Sequence, residues 1–301
     1  MSLLSPVVGI YSYVLQPIAP FTWFGLNLST LDVVAAFRLC LILRQIREDL
    51  FRKHVKTHGH TSVEARSFVR SASTALTVVF GGEALTCPFL LIPPSFMVSG
   101  IVPIFYTAIQ GIVDAVPSVP EMFFEMELPL SIVDGFTRAY LLCDLIPPMV
   151  TVNSYSVIVN SPWTLMMTSL VAANGGFFLT NMFSFMNPTP LSLQTPPELL
   201  AYGWTTADLW CAPLITGIYA LLTHAQPFWS NTHVYLTELL GMGIQGKQVE
   251  PIDPETARAL CAVLLACLFS GRTVKNFTNY FDRPAGTIGK KFEKEPKLKT
   301  Q

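Results

Sequence analysis

Glu83 directly follows the glycine pair Gly81-Gly82 in a largely apolar stretch. Glycine inside a helix costs about 1 kcal/mol relative to alanine and frees the backbone to kink or unwind. Beside such a break a carboxylate could draw cations toward a constriction, and Thr86, nearly one turn on, would add a hydroxyl. Gly175, Gly176 and Thr180 repeat the arrangement, with the apolar Phe177 in the place of Glu83. Freed carbonyls inside a bilayer are tolerated only against protein or a water-filled cavity, so two broken helices crossing there would mark an ion or solute path. The same small residues would equally serve close, dry helix packing. Residue types alone leave both readings open.

Further charges fall in apolar stretches: Asp32, Arg38, Asp114, Asp134, Arg138, Asp144 and Asp208. At the centre of a membrane helix each costs about 2.5 to 3.5 kcal/mol, so each must be paired, solvated or near an interface. Asp134 lies one turn before Arg138, which suggests either an i,i+4 ion pair or, for Arg138, a gate or lipid-headgroup contact. His54, His58 and His60 have a spacing that could ligate metal, but solvated loops produce such clusters often, and no metal site is assigned. None of the six cysteines forms a C-x-x-C pair. No pattern nominates a nucleophile with a base, so neither an enzyme nor a cofactor is expected.

The elements that must position these groups follow from composition. Of 301 residues, 51% are hydrophobic and 13% charged, about half the charge that coats a soluble domain. Basic residues gather between Arg38 and Arg70 and from Arg258 onward, which is not the spread that a nucleic-acid surface needs. About seven apolar segments are long enough to read as membrane spans: 31–46, 67–92, 96–116, 128–146, 161–185, 204–225 and 257–274. Prolines punctuate the loops between them, as at Pro93-Pro94 and Pro147-Pro148. The fold class expected is all-α, a polytopic membrane protein. By the positive-inside rule the basic loop after the first span and the basic tail are both cytoplasmic, with the N-terminus lumenal. Asn27-Leu28-Ser29 would then be an exposed glycosylation acceptor, and the lysine-rich tail 281–301 is expected to be disordered.

The glycine pairs belong to a longer match: Leu85, Thr86 and Phe89 align without a gap on Leu179, Thr180 and Phe183, and Ser67, Thr74 and Leu76 on Ser161, Thr168 and Leu170. Phe37-Arg38 weakly matches Phe136-Thr137-Arg138, and Gly111-Ile112 matches Gly217-Ile218. Three helices per copy is an odd number, so the copies enter the membrane from opposite sides, an inverted repeat. The expected organisation is a lumenal segment 1–30, a first repeat 31–116, a second repeat 128–225 and a seventh helix 257–274.

Phe80-Gly81-Gly82, Leu128-Pro129 leading to Arg138, Asn174-Gly175-Gly176 with Leu179 and Phe183, and 205–210 together resemble the trimeric intracellular cation (TRIC) channel family. The resemblance implies a homotrimer with a pore in each subunit, passing monovalent cations, chiefly K+, across the endoplasmic reticulum as counter-ion for Ca2+ movement. It also implies that Arg138 stands at the first position of a lipid motif that holds a phosphoinositide headgroup. Ala139 and Leu142 occupy positions where the family has Glu and Arg. A secondary transporter, which shares inverted repeats and broken helices, and a structural or adaptor membrane protein are the alternatives.

Overall fold

The computed structural model describes residues 4–19, 21–60, 62–65, 67–241 and 249–277. The tail 281–301, with its lysines, lies outside the described residues. The described chain is all-helical apart from one isolated bridge between Pro17 and Ser29. In chain order the helices are α1 (Ser5–Val14), α2 (Thr30–His58), α3 (Phe68–Leu90), α4 (Ser95–Val98), α5 (Ile101–Ala115) and α6 (Phe124–Tyr140). A π turn, Leu141–Leu145, leads from α6 into α7 (Ile146–Thr151). Then come α8 (Ser156–Val159), α9 (Pro162–Met182), α10 (Ala207–Thr223), α11 (Pro227–Leu239) and α12 (Pro254–Asn276). Each segment expected to be long and apolar is helical, and α3 and α12 meet both the length and the composition needed to cross a bilayer.

Local chemistry explains the boundaries. Ser29 and Asp32 form a reciprocal capping box at the start of α2, so Asp32 is a helix cap rather than a charge within a span. Ser161 and Asp253 cap α9 and α12, each followed by a proline at the first helical position, where its missing N–H costs nothing. The π turn has a similar cause. Pro147 and Pro148 have no N–H to give, Ile146 donates to Leu141, and the carbonyl of Leu142 is answered by Thr216 Oγ1 at 3.1 Å.

Contacts near helix ends sort into two layers. In one, Arg44 and Gln45 of α2 donate to the carbonyls of Val116 (2.7 Å) and Pro120 (2.9 Å) just past α5. There too, Arg70 at the start of α3 donates to the carbonyls of Ser184 and Asn187 just past α9, both at 2.8 Å. Phe124 at the start of α6 packs on Phe277 after α12, and Arg272 pairs with Asp208 at the start of α10. In the other layer, Asn153 beyond α7 donates to Leu90 O at the end of α3 (2.8 Å), and Gln226 donates to Ser161 O at the start of α9 (3.2 Å). Ile252 before α12 donates to Leu222 O at the end of α10 (2.8 Å), and Phe21 meets Phe105 near the start of α5. The long helices therefore run alternately between the two layers. One apolar core lies among α1, α6, α10 and α12, and another among α2, α3 and α5.

Candidate functional site

The glycines sit where α3 and α9 cross. A Cβ on Gly81 would meet Gly176 Cα at 3.0 Å and Leu179 Cδ1 at 3.1 Å; a Cβ on Gly175 would meet Gly82 Cα and Leu85 Cδ1 at the same distances. On Gly82 it would overlap Ala172, with the carbonyl carbon at 2.6 Å, and on Gly176 it would overlap Val78 just as closely. The contacts exchange partners just as the sequence match pairs the residues, which is the mark of a local two-fold axis. Both helices are continuous through their glycines, so the expected break is not found there. The glycines bring the two backbones together, as small residues do at close helix contacts. Thr86 and Thr180 are buried and return their hydroxyls to their own helices, at Gly82 O (3.0 Å) and Phe177 O (2.9 Å).

Glu83 faces away from the crossing. Its carboxylate accepts from Ser95 N at 2.5 Å and Ser95 Oγ at 2.7 Å, tying α3 to the first residue of α4. Phe80 packs on Phe96 beside it. At the matching positions of α9 stand Asn174 and Phe177, which with Asn181 line a cavity of about 440 Å³. Its walls come from α2, α6, α9, α10, α12 and the turn Pro197–Leu199.

Arg38 of α2, only 8% exposed, reaches into this cavity wall. Asp134 does not form the i,i+4 pair with Arg138 that its spacing allowed; it accepts from Arg38 Nε and Nη2, both at 3.0 Å. Glu127 accepts from the same guanidinium at 2.8 Å. Two carboxylates seven residues apart share one face of α6, and that spacing is the signal that could have revealed Glu127. Arg138 donates to Asn174 Oδ1 at 3.0 Å, and its Nε is buried without a hydrogen-bond partner among the described residues. Asp208, opening α10, pairs with Arg272 of α12, whose guanidinium lies 4.8 Å over the Phe269 ring.

The remaining charges are answered in the same way. Arg47 pairs with Asp114 at 3.2 Å, and Arg258 with Asp144 on the π turn while also covering the buried ring of Tyr11 at 4.7 Å. Every charge that the sequence places in an apolar segment thus has a hydrogen-bonding partner, and most of the partners come from another helix. Leaving one partner of a buried pair alone is the costly state, so such pairing is what a low-dielectric surround demands. His54 and His58 stack at 5.0 Å, and no group of three metal-binding side chains is found among the described residues. Between the end of α10 and α11, His224 and His233 share a hydrogen bond at 2.8 Å; burial, then the neighbouring His224, holds His233 below the usual imidazole range.

No family model, curated protein or solved structure matches the chain.

Proposed function

We propose that this protein is a membrane-embedded channel for monovalent cations, chiefly K+, built as an inverted repeat of three plus three helices with α12 added. The observation that carries the reading is a cavity between the helices whose largely apolar wall also carries Arg38, Asp134, Arg138, Asn174 and Asn181. Supporting it, large apolar side chains face outward from helix surfaces, including Phe89 (84% exposed), Trp163 (71%) and Ile104 (71%). Water would penalise such an exterior, whereas lipid would not. The path runs beside α9 rather than through the glycine crossing, and Glu83 braces α4 instead of attracting ions. As the TRIC resemblance implies, the working form is a homotrimer in the endoplasmic reticulum or another intracellular membrane. Its N-terminus is lumenal, its C-terminus cytoplasmic, and a lipid headgroup contacts Arg138.

The dry, symmetric contact of α3 on α9 supports a second reading, a secondary transporter whose two repeats rock about that contact. Purified protein in K+-loaded liposomes separates the two. A channel passes K+ down its gradient without saturation at low concentration; a transporter gives saturable, coupled uptake. Liposomes no leakier than protein-free controls, with no coupled uptake, would sink both and leave a structural membrane protein.

A further inference from the structure

Two opposite charges line the α9 cavity without an ion-pair partner among the described residues. Arg138 spends one Nη2 bond on Asn174, and its Nε is buried and unanswered among the described residues. Glu198, on the turn Pro197–Leu199, lines the same cavity, and its Oε2 is likewise buried with no hydrogen-bond partner among the described residues. The other charged groups of the wall are satisfied, Arg38 by Glu127 and Asp134, and Arg272 by Asp208. Charged side chains that line a cavity without a counter-charge are costly, and a ligand that supplies the missing charges would be stabilised there.

The sign of the two groups restricts what that is. A cation alone would be drawn to Glu198 but would face the Arg138 guanidinium, and an anion alone would meet the reverse conflict. A molecule carrying both signs satisfies both. We propose that the cavity binds a small zwitterion, with its carboxylate or phosphate against Arg138 and its ammonium against Glu198. Phe177, Leu209 and Phe269 wall the apolar remainder. Guanidinium is the side chain best shaped for a carboxylate or phosphate, and the volume lies in the range of small-molecule sites. The zwitterion has two sources: a free solute of amino-acid type, or the headgroup of a zwitterionic phospholipid entering from the bilayer. The occupant is distinct from the permeating ion, and its binding is read without flux, so failure of this inference and failure of the conduction reading are separable.

The full chain purified in detergent is titrated calorimetrically with L-leucine and phosphoethanolamine, and then with the half-ligands sodium phosphate and ethylamine. In parallel, nanodiscs of mixed phosphatidylethanolamine and phosphatidylglycerol are used to load the protein, and the retained lipid is identified by native mass spectrometry. One zwitterion is expected to bind about tenfold or more tighter than either half-ligand, and both Arg138→Gln and Glu198→Gln should weaken it about tenfold. Glu198 is flanked by exposed Pro197 and Leu199, so Glu198→Gln should keep the wild-type melting temperature. Response to a soluble probe assigns a free solute; selective retention of phosphatidylethanolamine, lost in Glu198→Gln, assigns the headgroup. Phosphate binding as tightly as phosphoethanolamine and indifferent to Glu198→Gln would overturn the inference, as would the absence of binding in both arms.

Discussion

Helices α3 and α9 make interchangeable contacts where they cross and opposite ones on the faces next to the crossing. At the crossing each glycine meets the counterpart of its own partner. On the adjoining face, Phe80 and Glu83 of α3 are engaged by Phe96 and Ser95, while Asn174 and Phe177 of α9 open onto the cavity. The arginines differ in the same sense: Arg38 is held by two carboxylates, and its sequence counterpart Arg138 by one amide. Repetition supplies the frame, and the departures from repetition supply the site. A residue's role here is read from what its matching position lost.

The arginine contrast makes the largest prediction. Arg38→Gln strands Glu127 and Asp134 in a buried wall and should cost about 3–5 kcal/mol of stability in detergent. Arg138→Gln removes a single bond and should cost about 1 kcal/mol. Equal losses in denaturant-induced unfolding would mean that the two arginines are equivalent after all. At the crossing, Gly82→Ala and Gly176→Ala drive a methyl into backbone and should each cost about 3 kcal/mol, whereas Gly81→Ala and Gly175→Ala only crowd a glycine Cα and a leucine methyl and should cost less, about 1–2 kcal/mol. Melting curves that separate the two members of either pair would break the symmetry.

A smaller contrast lies at matching positions of α5 and α10. Thr216 bonds both Ser169 (2.8 Å) and the Leu142 carbonyl, while Gln110, 1% exposed, has neither amide atom paired among the described residues. Ala75 occupies the position that matches Ser169, so the hydroxyl is missing on that side. Thr216→Val should therefore destabilise by about 1 kcal/mol and Gln110→Leu should stabilise by a similar amount. Melting temperatures shifting in the same direction would count against this account.

The helices were legible in the sequence because apolar length and proline punctuation act locally. The glycine match was legible too, since gapless identity survives in a single chain. What the glycines do was not: a pair that frees the backbone also lets another helix touch it, and only the facing residues, Ala172 and Val78, decide. For Asp134 the sequence offered a pair with Arg138, because an i,i+4 spacing is visible along the chain, whereas Arg38 lies far away in sequence. Glu198 drew no attention because a loop glutamate usually meets water, and nothing local announces that one of its carboxylate oxygens is buried. Charge pairing across helices is a property of packing, and packing is written only weakly in any one segment.

The central claim is that the molecule works on the α9 side of its crossing, and K+ flux through reconstituted liposomes tests it directly with two variants. Asn181→Phe fills the cavity, and Glu83→Gln alters the α3 face without touching it. The account predicts that Asn181→Phe lowers the flux about tenfold, the loss expected when a path is occluded rather than the fold disturbed, while Glu83→Gln keeps it. Flux that survives Asn181→Phe and disappears in Glu83→Gln would contradict the account and return the path to the α3 side.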